Sequence, residues 1–221
     1  MDVNQLIQTV AIYALPVLFA ITLHEAAHGY VARHFGDLTA HAQGRISLNP
    51  ARHIDPFGTI VVPILILVVA KLSGTGGFLF GSAKPVPVNY SALRRPKQNM
   101  LWVAAAGPFA NLVMALLWAF LFKFADVLPA TEYTRAMKLM GYAGIEVNLV
   151  LMLLNLLPIL PLDGGRILAS LLPNRVAWQY SKLEPWGFPI LLLLLFTNML
   201  GFILAPMMKA SFQVIEAVFQ L

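Results

Sequence analysis

Four stretches of this chain run for roughly twenty residues or more with few charged side chains, and each is long enough to cross a lipid bilayer. They cover about 6–35, 99–124, 142–160 and 186–205. In hydrocarbon every backbone polar group must find its partner within the protein, so an apolar run of this length is confined to a helix. Composition agrees. The chain is 59% hydrophobic and 11% charged, against about a quarter charged in soluble domains. These features predict an α-helical polytopic membrane protein with about four long transmembrane helices, and argue against a soluble globular fold. The expected organisation is a single membrane-embedded domain over 1–221, with core motifs over about 6–172 and a C-terminal span and interfacial tail over about 186–221.

The segments between the long runs are less regular. Residues 57–81 are apolar but short, contain Pro63 and end in a glycine-rich stretch. We expect a re-entrant or discontinuous segment there, since irregular backbone at membrane depth is tolerated only against protein or water. Lys84-Pro85-Val86-Pro87-Val88-Asn89 reads as a small extended, β-like element, because each proline restrains the residue before it. It could lie beside an unfolded substrate as an added strand, an incomplete one since Pro85 and Pro87 donate no hydrogen bond. Residues 206–221 read as an amphipathic interfacial helix.

The net charge of +5 is spread through the connecting loops, where it encodes orientation and does not call for a nucleic-acid partner. With the start of the chain outside, ten of the fifteen Lys and Arg residues fall inside and four outside (Lys123, Arg135, Lys138 and Lys209), with Lys71 unassigned. No cysteine occurs, so any metal must be held by nitrogen and oxygen. The N-terminus lacks the basic start of a signal peptide, and the first apolar run is expected to be retained.

That first run carries His24-Glu25-Ala26-Ala27-His28. An ionisable group at membrane depth is costly and reads as functional by default. Residues four apart share a helix face, so the two imidazoles can hold one metal ion, and the adjacent glutamate can act as base toward water at that ion. Catalytic zinc has three protein ligands and an open position. His34 is a poor third ligand: six residues along a helix is about 600°, which points it away from His28. His41 and His53 lie in a polar connection. Asp163 is the better candidate, at the end of an apolar run held by Pro158 and Pro161 and followed by Gly164 and Gly165. The prolines prevent a regular helix, and the glycines permit unusual dihedrals and close approach. The alternative is a helix-end aspartate at the water boundary with a simple glycine turn.

Three motifs now stand in order: His24 to His28, Gly107-Pro108-Phe109-Ala110-Asn111, and the run Asn155 to Arg166. Together they resemble the site-2 protease family of intramembrane zinc metalloproteases. The stretch Asn49 to Thr59 and the segment Lys84 to Asn89 are similar to its compact bacterial branch without a PDZ domain. The resemblance implies that His24, His28 and Asp163 bind one Zn2+, that Glu25 is the catalytic base, and that the site faces the cytoplasm within the bacterial cytoplasmic membrane. The implied partner, besides the lipid bilayer, is a membrane protein whose transmembrane helix is the substrate. Asn155 is either a donor to the substrate carbonyl or oxyanion, as the family suggests, or a helix–helix hydrogen bond. Asn111 reads as a cross-link between helices, and the Ala104 to Gly107 patch as a helix contact surface. His53 and Asp55 are candidates to gate the site or to pair with each other. The rival functions are a membrane zinc transporter, which needs a second metal cluster, and a non-catalytic scaffold that binds membrane helices.

Overall fold

The computed structural model describes residues 3–49 and 85–221. The segment expected to re-enter over 57–81, with Lys84, His53 and Asp55, lies outside the described residues. Helix α1 runs Val3–His34, with Pro16 buried inside it. It stops at Gly36, whose φ of +105° lets the Asp37 N–H turn back to the Ala32 carbonyl at 3.0 Å. One short turn, α2 (Thr39–Ala42), follows. After the irregular residues 85–89 comes a 3₁₀ turn, Tyr90–Ala92. Helix α3 (Pro96–Asp126) opens with proline at its first turn, where a missing N–H costs nothing. Helix α4 (Glu132–Asn155) opens with a capping box, in which Thr131 and Thr134 each accept the other's backbone N–H. Four shorter or later helices complete the chain: α5 (Asp163–Leu171), α6 (Asn174–Ser181), α7 (Glu184–Phe196) and α8 (Met199–Phe219).

Helix α3 is the hub and packs against α1, α4, α5 and α8. Its close approach to α4 depends on Gly144, where a Cβ would stand 2.2 Å from the Trp118 ring. Small residues at such contacts let membrane helices approach. Around this point Ala115, Trp118 and Ala119 of α3 meet Ile145 and Leu149 of α4 and Ile215 of α8. A second cluster joins Leu153, Leu154 and Leu157 to Leu200 and Leu204 of α8. Helix α1 is tied to α4 by the Tyr13 hydroxyl, which donates to Glu146 Oε2 at 2.7 Å. Large apolar side chains such as Phe109, Phe120 and Phe202 point outward, as they must in a protein bathed in lipid.

Among the described residues four helices are long and apolar enough to span a membrane: Ile7–His34, Pro96–Asp126, Glu132–Asn155 and Met199–Phe219. The chain is a multi-pass membrane protein. The first two match the expected spans, and the third begins ten residues earlier than expected. The fourth is a correction. The run 186–205 is not one helix: it breaks at Asn198, which takes a left-handed φ of 58° between α7 and α8. The 13 residues of α7 reach about 20 Å, short of a crossing. The residues expected to lie along the interface, 206–221, instead form most of α8, and Lys209 lies within that helix. Thr197 and Asn198 are polar residues in an otherwise apolar run, and asparagine readily takes a left-handed helix end, a local sign that the length of the apolar run masks.

The extended element is a second correction. Residues 85–89 form no strand, and no strand occurs among the described residues. Their N–H groups go to carboxylates instead: Val86 N–H to Glu25 Oε2 at 2.8 Å, and Asn89 N–H to Asp37 Oδ2 at 2.7 Å. With Pro85 and Pro87 lacking donors and these two N–H groups taken, no regular ladder can form.

Candidate metal centre

His24 and His28 lie one turn apart on the face of α1 that meets α3, and both are buried. Their Nε2 atoms stand 3.1 Å apart. Each ring is fixed from behind. His24 Nδ1 lies 2.6 Å from Asn111 Oδ1, and His28 Nδ1 lies 2.7 Å from the Val103 carbonyl oxygen. Both partners are acceptors, so both Nδ1 atoms carry the hydrogen and both Nε2 atoms present a lone pair.

Asp163 is the first residue of α5, where the helix dipole favours a negative charge. Its position depends on two close approaches. A Cβ on Gly164 would fall 2.2 Å from the Leu156 carbonyl oxygen, and one on Gly165 would fall 2.6 Å from the Leu160 nitrogen. Both glycines are helical, so they serve contact and not unusual dihedrals. Asp163 Oδ2 reaches 3.3 Å from each histidine Nε2. That oxygen is buried and has no hydrogen-bond partner among the described residues.

Two nitrogen lone pairs and a bare carboxylate oxygen thus converge in a largely buried position, an arrangement that is costly without a cation between them. The spacing suits one. Donors bound tetrahedrally at about 2.0–2.1 Å stand roughly 3.3 Å from each other, and the three separations here are 3.1, 3.3 and 3.3 Å. Gly107 of α3 keeps the space open: a Cβ there would lie 2.4 Å from His28 Nε2 and 2.6 Å from His24 Nε2. The patch read as a helix contact surface is, at this residue, the wall of the centre.

The three donors face a cavity of about 570 Å³, also lined by Glu25, Asn155 and Arg166. Glu25 is held by the Val86 N–H. Asn155 ends α4, and its Nδ2 donates to Leu151 O of the same helix at 3.0 Å. His34 and His41 are exposed and take no part. Sequence reasoning missed Asp37, which has 0% exposure. Its two oxygens accept from the N–H groups of Thr39 and Asn89, at 2.9 and 2.7 Å. Burial works to raise its pKa, but these bonds and the Thr39 hydroxyl outweigh it and hold the carboxyl below its ordinary value.

The chain is 38% identical over 215 residues to a Bacillus subtilis (strain 168) protein named "Putative zinc metalloprotease YwhC", covering 93% of this chain and 91% of that protein. The chain belongs to the site-2 protease family. Two further relatives carry the name "Putative zinc metalloprotease Rip2". The one from Mycolicibacterium smegmatis is 29% identical over 83% of this chain and 66% of its own length. The one from Mycobacterium tuberculosis (strain H37Rv) is 32% identical over 66% of this chain and 52% of its own. No family model and no solved structure matches the chain. In this site-2 protease relative the histidine pair, Asp163 and the cavity with Glu25 occupy one place at the junction of α1, α3, α4 and α5.

Proposed function

We propose that this chain is a zinc-dependent intramembrane protease that hydrolyses a peptide bond in or near a transmembrane helix of another membrane protein. The observation that carries this reading is the partnerless Asp163 Oδ2 set 3.3 Å from two lone-pair-bearing imidazole nitrogens. Its place in the membrane follows from α1. His24 precedes the helix end at His34 by ten residues, about 15 Å of rise, which is hydrocarbon depth. The basic loops support placing that end on the cytoplasmic side of the bacterial cytoplasmic membrane.

His24, His28 and Asp163 would hold the ion, and the cavity side leaves a position open. When bound, zinc supplies Lewis-acid polarisation of the scissile carbonyl and makes water a stronger acid. Glu25 takes a proton from water and returns it to the leaving amine. The Val86 N–H fixes one carboxylate oxygen of Glu25, leaving the other free for the proton. Asn155, on the cavity wall, is placed to donate to the carbonyl oxygen as charge grows on it. The surrounding Pro161, Leu162 and Val88 exclude bulk water from an unwound substrate segment.

A transporter needs a second ligand cluster to pass the ion on, and His24, His28 and Asp163 are the one such group of three among the described residues. The deciding experiment reconstitutes purified protein in vesicles with a labelled transmembrane peptide. Wild type cleaves it. Glu25→Gln retains one zinc per chain and loses about 10²- to 10⁴-fold in rate. Cleavage at the wild-type rate by this variant, or metal flux without cleavage, would overturn the assignment.

A further inference from the structure

Asn111 of α3 and Asn148 of α4 are fully buried polar side chains at 0% exposure, away from the cavity. Their hydrogen bonds run in one direction. Asn148 Nδ2 donates to the Gly144 carbonyl at 2.8 Å. Asn148 Oδ1 accepts from Asn111 Nδ2 at 3.0 Å, and the same nitrogen donates to the Ala20 carbonyl at 3.2 Å. Asn111 Oδ1 then faces His24 Nδ1 at 2.6 Å.

The start of the chain of bonds is a main-chain carbonyl, which can only accept. That forces the Asn148 amide to point its nitrogen at Gly144 and its oxygen at Asn111. Asn111 must then aim its nitrogen at two oxygens and its oxygen at His24. Turning either amide over would set oxygen against oxygen in a dry interior, at the cost of unsatisfied buried groups. Turning Asn111 over would also present an N–H donor to His24 Nδ1. The ring would then carry its hydrogen on Nε2, with no lone pair for a metal.

We infer that Asn148 and Asn111 form a directional amide relay that sets the His24 tautomer, making Asn148 a positioning residue of the metal centre although it touches no ligand. The relay rests on the metal reading above. The direction is dictated at the Gly144 and Ala20 carbonyls and delivered to the ring.

The test is metal affinity of the full-length protein in detergent, by chelator competition with Zn2+ and by the visible spectrum with Co2+. Asn148→Leu removes one of the two acceptors that orient Asn111 and leaves the Ala20 carbonyl as the other. Affinity is expected to fall roughly 10- to 100-fold, as for loss of an outer-shell partner, with an altered Co2+ spectrum and helical content retained. Asn148→Asp keeps an acceptor for Asn111 Nδ2 and is expected to keep the ion within a few-fold of wild type. A role confined to packing predicts the reverse order, because the aspartate adds a buried acid. Wild-type affinity in folded Asn148→Leu overturns the relay alone, while a wild-type chain that binds no metal overturns both readings. If Asn148→Leu does not fold, Asn148→Asp decides: metal-loaded supports the relay, folded and metal-free overturns it.

Discussion

Gly107 shows how much one absent side chain can decide. The Cβ of an alanine there would lie within 2.6 Å of both ligand nitrogens. It can be relieved only by moving the α3 backbone or the imidazoles. Gly107→Ala is therefore expected to fold, since alanine is the best helix former, and to bind zinc roughly tenfold or more weakly, as for other changes beside metal ligands. Metal content after dialysis against a weak chelator checks this, and full zinc occupancy would refute it. The residues that meet at the candidate centre were legible in the sequence. His24, Glu25 and His28 are local, and a four-residue spacing needs only a helix to bring them together. Asp163 was marked by its prolines and glycines within an apolar run. Gly107, Asn148 and Asp37 were not legible in their roles, because each acts on a partner far along the chain.

At the scale of elements, Asp37 fastens residues 85–89 to the end of α1, as Glu25 does further up. Asp37→Asn keeps the shape but turns one acceptor into a donor facing an N–H. The expected loss is about 1–3 kcal/mol near neutral pH. Its pH dependence has a definite sign. The folded carboxyl sits below its ordinary value of 3.8. The stabilisation is therefore complete above that value and fades as pH falls through the depressed folded one. Unfolding of wild type and variant in detergent should differ fully at pH 6, and the difference should shrink as pH falls below 3.8 and through the depressed folded value; a difference that grows on acidification would contradict the assignment. The helices were readable from hydropathy because lipid imposes length and composition together. The break at Asn198 was not, since two polar residues, Thr197 and Asn198, are too few to divide a long apolar run on hydropathy alone. The strand expected at 85–89 failed for a related reason: its acceptors are side chains of another element.

For the molecule as a whole, the last crossing sets a test of topology. Helix α8 is 21 residues, about 31 Å long, a full crossing. Lys123 Nζ near the end of α3 donates to the Gln220 carbonyl, so the end of α8 lies at the same boundary as the α3–α4 turn. Asn198 then lies at the opposite boundary. The chain has no cysteine, so single introduced thiols report cleanly. Asn198→Cys should react with an impermeant reagent from the cytoplasmic face, and Leu128→Cys from the other. A thiol at 198 shielded from both faces would favour the unbroken 186–205 span.

The hand that steadies Glu25 belongs to the main chain. Any amino acid but proline offers the same N–H at position 86, so exchanging Val86 for alanine, or for almost anything else, leaves that grip in place. Side-chain scanning is blind to such a contact, and a residue ranked dispensable by mutagenesis can still be the one that aims the proposed base.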